Sequence, residues 1–199
     1  MTLHAPDATI RCVQESSIPP NPRSRRMTDT AAAPSTRPAA FGDLEPELAT
    51  TRRVLERVPD EHWDWKPHEK SMTLGRIASH LAELPYLAVT ILQRDEFDVV
   101  NRPKTTPPAN REEVLRAYDQ GVAALVAAVD AAAPGSWGQT WALKAAGKTF
   151  ISMPRAAALR SMGISHPIHH RGQLTVYLRL LGVPVPSVYG PTADEPFGG

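Results

Sequence analysis

From Phe41 onward, apolar residues return every three or four positions, the spacing of one face of a helix. Leu44, Leu48, Val54 and Leu55 predict a first helix near residues 43–57, with Asp43 placed to cap it and Pro59 beyond its end. The stretch HWDWKP (62–67) reads as an aromatic turn, because Pro67 cannot continue a helix. Thr73 then caps a second helix near 73–97, whose apolar face carries Leu74, Ile77, Ala78, Leu81, Leu84, Leu87 and Ile91. Pro85 lies inside it, removes one backbone bond and predicts a bend. Residues 100–110 read as a loop, and Asn110 with Glu112 and Glu113 opens a third helix near 111–132, before Pro134 and Gly135.

The segment 136–152 breaks the helical period. TWALKAAGKTFIS places Trp141, Leu143, Thr149 and Phe150 around Ala-Gly-Lys, which predicts a short hairpin. Pro154 suits the first turn of a fourth helix near 154–181, which ends at Gly182 with Pro184 beyond. The resulting fold class is all-α: a four-helix bundle with a small hairpin between the third and fourth helices. No internal repeat is visible.

Residues 1–40 differ from the rest. They hold six prolines (Pro6, Pro19, Pro20, Pro22, Pro34 and Pro38) among Ser, Thr and Ala, with no sustained apolar period. Such a segment cannot bury enough surface to offset its ordering entropy, so it is expected to be a disordered extension ahead of a domain over 41–199. An upstream extension with Met27 as the true start is the companion expectation. The basic cluster Arg23, Arg25 and Arg26 comes too late for a secretory signal and no apolar run follows it, while Asp7 and Glu15 argue against a transit peptide.

Charge narrows the partners. Lys and Arg number 22 against 21 Asp and Glu, a net charge of +1, so nothing points to nucleic acid. No apolar run approaches the ~20 residues of a membrane span. The single Cys12 excludes an internal disulfide, and the cytoplasm is the default location.

Chemistry concentrates in SHPIHHRGQL (165–174). His166 and His170 are four apart on the fourth helix, so their rings stack on one face, together with Leu159, Met162, Gln173, Leu174, Tyr177 and Leu181. His169 lies about a hundred degrees round the helix from His170. On the second helix His80 falls on the face of Ile77, Leu84 and Leu87, so it points toward the same interior. A lone inward histidine is more often a hydrogen-bonded core residue than a ligand. Three together would leave ring nitrogens unsatisfied, whereas a divalent cation takes one lone pair from each and keeps a position open for water or substrate. Pro167 should break the bond to the Gly163 carbonyl and kink the helix before the pair.

MTLGRIASHLAELP (72–85), with ISHPIHHRGQLTVYLRLLGVPVPSVYGPTADE (164–195), resembles the DinB family, bacterial four-helix-bundle proteins. The likeness covers residues 41–195, and H-x-x-H-H-R-G-Q-L followed by Y-G-P is its most specific part. The family's histidine triad falls on His80, His166 and His170; Pro167 and the long N-terminal extension are departures. The resemblance implies a divalent metal, zinc or nickel above iron or manganese, and a homodimer. It also implies thiol-dependent transferase or isomerase chemistry with a low-molecular-weight thiol such as mycothiol or bacillithiol.

Gln173 and Tyr177 are the candidate catalytic neighbours, each with a packing role as the alternative. Arg171 is expected to pair with an acid, Gly172 to allow close helix approach, Trp63 and Trp65 to be core or lid aromatics, and Tyr189 to close the pocket mouth. Asp194 and Glu195 are expected to be solvated. Two rivals stand beside thiol chemistry on a small-molecule substrate: a metal-water hydrolase, and a non-catalytic metal-binding stress-response bundle.

Overall fold

The computed structural model describes residues 38–102 and 105–197. Of the expected disordered extension, residues 1–37 lie outside the described part. The described chain enters through a 3-10 turn at Ala39–Phe41, whose Phe41 ring is fully buried 5.3 Å from that of Trp137.

Helix α1 spans Leu44–Leu55 and buries Leu44, Leu48, Thr51, Val54 and Leu55 on one face. Asp43 does not cap it as expected; its carboxylate accepts two bonds from Arg160, at 2.6 and 2.8 Å. Helix α2 spans Leu74–Gln93, and the Thr73 side chain accepts from the Arg76 amide at 3.1 Å. It runs through Pro85 without a break. Helix α3 spans Arg111–Asp130, with Asn110 accepting from the Glu113 amide at 2.9 Å. Gly121 sets how closely α3 approaches α2, since a Cβ there would lie 3.1 Å from both Pro85 and Tyr86.

The second helix is shorter than expected. It ends at Gln93, and the chain turns extended at Arg94 into a strand, β1, at Glu96–Asp98. The cause lies sixty residues downstream. The guanidinium of Arg155, itself buried, donates to the carbonyls of Ile91 and Arg94, and reaches Asp95 at 2.6 Å. It satisfies carbonyls that another helical turn would have used. β1 pairs in parallel with β2 (Thr140–Ala145), and β2 in antiparallel with β3 (Lys148–Pro154), so the expected hairpin is the larger part of a three-stranded sheet.

The hairpin turn is Ala146-Gly147, both at positive φ (49° and 79°), the twist that two-residue hairpins require. Asp98 clasps it. Its carboxylate accepts from the amides of Ala146 and Gly147 on one side and of Val100 and Asn101 on the other. These backbone bonds, led by those of Asn101 and Gly147, pull the carboxyl down to about 2.

The fourth helical stretch is not one α-helix. A short α4 (Arg155–Ala158) passes into a π-helical segment, Leu159–Ser165, and then into α5, His166–Leu180. α5 ends in a paired-bond cap: Gly182, at φ 71°, donates to Arg179 and Val183 donates to Leu178. The whole is mostly helical with a small sheet, and its core joins α1, α2 and α3 to the π segment and α5 through side chains such as Leu55, Ile77, Leu81, Tyr118, Leu159 and Leu174. Among the described residues no helix is long and apolar enough to cross a membrane.

Candidate metal centre

The π segment positions the histidine pair. A π turn holds one residue more than an α turn, and it accommodates local irregularity within a helix. The His166 amide accordingly bonds five residues back, to the Ser161 carbonyl. Pro167 then falls in the first turn of α5, where its missing N–H costs nothing. The expected break at the Gly163 carbonyl is thus absorbed by a wider turn upstream. Gly163 lets this segment approach α2, because a Cβ there would stand 3.2 Å from that of Ala88. Gly172, expected to play that part, faces open space.

His166 and His170 point their Nε2 atoms at each other across 2.8 Å. From α2, the His80 ring stands 4.6 Å from His170 and 5.3 Å from His166, centroid to centroid. One ring nitrogen from each of the three lies within 4.8 Å of the others. Two nitrogens bound tetrahedrally to zinc at 2.0–2.1 Å sit about 3.3 Å apart, so the observed spacing brackets what an ion would draw together. The donor chemistry also fits. Burial pushes His166 down to about 4, helped by the neighbouring His170, His80 and His169, and burial likewise lowers His170. Both rings are therefore neutral near pH 7, and each has a ring nitrogen lone pair that an ion can take. The Nδ1 atoms of His80 and His166 are buried without a hydrogen-bond partner. The three-histidine cluster can hold a divalent metal ion.

His169 stays outside the cluster, exposed, its ring edge-on to His170 at 4.9 Å. His62 and His68 lie in the segment before α2, where His68 Nδ1 accepts from the Lys70 amide. Gln173 meets the ligand side chain rather than open space: its Oε1 lies 2.7 Å from His170 Nδ1. Tyr177 is buried, its hydroxyl donating to the Met72 carbonyl at 3.2 Å and its ring edge-on to Trp65 at 5.8 Å. Trp63 packs so tightly on α2 that a Cβ at Gly75 would come within 2.3 Å of its ring.

Arg171 does pair with an acid. Fully buried, it reaches the Glu47 carboxylate at 2.7 Å and also the Glu47 carbonyl and Thr51 hydroxyl. Tyr189, expected at the pocket mouth, instead donates to Glu47 at 2.8 Å with Arg171 over its ring. Asp194 and Glu195 are not the free tail charges expected: Asp194 accepts from Arg179 and the Val185 amide, Glu195 from Arg53 and the Ser187 amide. A charged group beside the cluster was missed in the sequence. Glu83, on α2, stands 3.7 Å from His80 Nδ1 and faces Arg76 and Arg102. Burial alone would raise its carboxyl; His80, Arg76 and Arg102 outweigh that and hold it below the ordinary value. The one-turn spacings Arg76–His80 and His80–Glu83 were the available signal.

A helical protein with a small sheet and a three-histidine cluster between α2 and α5 is the class these features define. The chain belongs to the DinB family, whose sequence profile matches residues 43–196. It is 28% identical over 151 residues to YrdA of Bacillus subtilis, covering 75% of this chain and 85% of the relative. To YjoA of the same organism it is 22% identical over 132 residues, covering 66% and 82%. The fold is similar to a crystal structure of a DinB-like protein from Bacillus cereus, with TM-score 0.57 and 22% identity over 75% of this chain and 95% of that one. The crystal structure of YjoA gives TM-score 0.58 and 19% identity over 75% and 96%.

Proposed function

We propose that His80, His166 and His170 hold one divalent metal ion in a four-helix-bundle enzyme of the DinB family that acts on a small molecule with a low-molecular-weight thiol. Zinc and nickel suit three imidazoles best, with iron and manganese as the other fits. The carrying observation is the convergence of His80 from α2 on the close His166–His170 pair of α5. Held by three neutral ligands, the ion keeps its full double charge and supplies a Lewis acid that lowers the pKa of a thiol or a water.

The chain's own residues prepare the cluster. Gln173 accepts the Nδ1 proton of His170, which fixes the ring and leaves Nε2 as the lone-pair donor. Gln173 is thus a positioning residue. Tyr177 commits its hydroxyl to Met72 and offers its ring as a wall beside Trp65. A thiol co-substrate stays reduced in the cytoplasm, where this function belongs, and a second copy of the chain would complete the homodimer that the family resemblance implies.

Metal analysis of the purified full chain, before and after His80→Ala, tests the site. Conjugation of a reduced thiol to a chloronitrobenzene tests the reaction: the sulfur–carbon bond forms and chloride leaves. Thiol-independent ester hydrolysis would move the assignment to a hydrolase, and stoichiometric metal without either reaction would move it to a non-catalytic role.

A further inference from the structure

We infer that Arg76 and Arg102 form an anion-recognising rim beside the three-histidine cluster, so that the small molecule taken there carries a carboxylate or a like anionic group. The inference rests on the metal assignment above and adds the substrate class to it.

Two elements bring guanidinium groups to one place. Arg76 lies one turn before His80 on α2, and its Nη1 passes along the helix to reach Glu83 Oε1 at 3.4 Å. Arg102 comes from the segment after β1, with Nη2 3.8 Å from Glu83 Oε2. That same oxygen is 3.7 Å from His80 Nδ1. The guanidinium groups therefore stand within one small molecule's length of the histidine nitrogens.

Neither contact is a close ion pair. Charge-assisted bonds run at about 2.7–2.9 Å; elsewhere in this chain arginine meets carboxylate closely at 2.6 Å (Arg160–Asp43) and 2.7 Å (Arg171–Glu47), and loosely at 3.4 Å (Arg57–Glu195) and 3.7 Å (Arg116–Glu112). A single carboxylate shared by two arginines and a histidine satisfies none of them closely. Two formal positive charges against one negative leave a surplus of one, before a dication is added whose three ligands contribute no charge. Both arginines are about two-fifths exposed, so their forks are open to a ligand. Arginine is suited to the task, since its planar fork matches a carboxylate with two parallel bonds. An ordinary surface ion pair would contribute about 0–1 kcal/mol to stability and nothing to ligand choice; the position next to the cluster is what separates the two roles.

The test uses the full chain loaded with cobalt(II), whose visible spectrum reports a new ligand. 3-Mercaptopropionate and 2-mercaptoethanol share a thiol, and only the first carries a carboxylate. The expected result is binding of mercaptopropionate tighter by about tenfold or more, one charge-assisted contact's worth. In the Arg76→Gln/Arg102→Gln variant that preference falls to about twofold or less, while cobalt stoichiometry and mercaptoethanol affinity hold. Equal affinities in the parent chain, or a preference that survives the double variant, overturn the rim. A chain that takes up no cobalt, or takes it up and ignores both thiols, refutes the metal or thiol reading instead. The rim is then read on the metal-free chain by the arginine Nε–H resonances. Those of Arg76 and Arg102 shift with succinate and not with neutral succinamide; resonances unmoved by succinate overturn it.

Discussion

The guanidinium of Arg171 lies 2.7 Å from the Glu47 carboxylate with only 1% of its side chain exposed. It joins α5 to α1 directly beside His170, and Thr51 and the Glu47 carbonyl take its remaining reach. Removing one member of such a pair leaves the other charge buried, a loss of about 3–5 kcal/mol. Arg171→Ala should therefore lower the urea midpoint strongly, whereas Tyr189→Phe, at an exposed contact with Glu47, should change it little. A midpoint for Arg171→Ala near that of the parent chain would show the pair to be dispensable.

Metal stoichiometry should divide the histidines cleanly. Alanine at His80, His166 or His170 should abolish stoichiometric zinc or nickel in equilibrium dialysis, while His169→Ala should retain it. Loss with His169→Ala and retention with His166→Ala would mean that the faces of α5 are assigned the wrong way round.

Acid should weaken the metal-free fold in two steps. His166 titrates near 6.5 in the unfolded chain and about 4 in the folded one, so between those values the unfolded state binds more protons and stability rises with pH. Going down in pH, stability is lost from about 6.5 to 4, and His166→Ala should flatten that part of a melting-temperature profile. Asp98 acts lower: its folded value of about 2 lies below the ordinary 3.8, so its contribution is lost as pH falls from 3.8 toward 2. Asp98→Asn should remove only this second step. A profile with no difference between His166→Ala and the parent would contradict the burial of that ring.

Gly75 has no room for a side chain. A Cβ would sit 2.3 Å from the Trp63 ring, which the Gly75 amide also fixes through its bond to the Trp63 carbonyl at 2.8 Å. Gly75→Ala should cost about 1–3 kcal/mol by overpacking, despite the better helix propensity of alanine. Gly172→Ala, facing open space, should be neutral or stabilising by calorimetry.

Helices α1, α2 and α3 and the inward faces that carry His80, His166 and His170 were legible because each depends on short-range spacing: apolar residues at three and four, and two imidazoles one turn apart. What was illegible depends on distant partners. Nothing local in Arg94-Asp95-Glu96 announces a strand; the helix stops there because Arg155 takes its carbonyls. Asp194 and Glu195 look like loose charges until Arg179 and Arg53 are folded against them. Gly163 and Gly172 read alike in sequence, and only packing against Ala88 separates them.

The widened turn at Leu159–Ser165 makes the spacing of the site a matter of counting. Side chains there can change while His166 and His170 keep their bearing on α2, but residues cannot be added. Adding a further residue, which the already widened turn cannot absorb, would swing everything after it by about a hundred degrees. The pair would then leave His80 for another side of the helix, and Arg171 would leave Glu47 with it. Insertions among relatives should therefore avoid the interval from Ala158 to His166 and collect in the segment after β1 or in the hairpin turn.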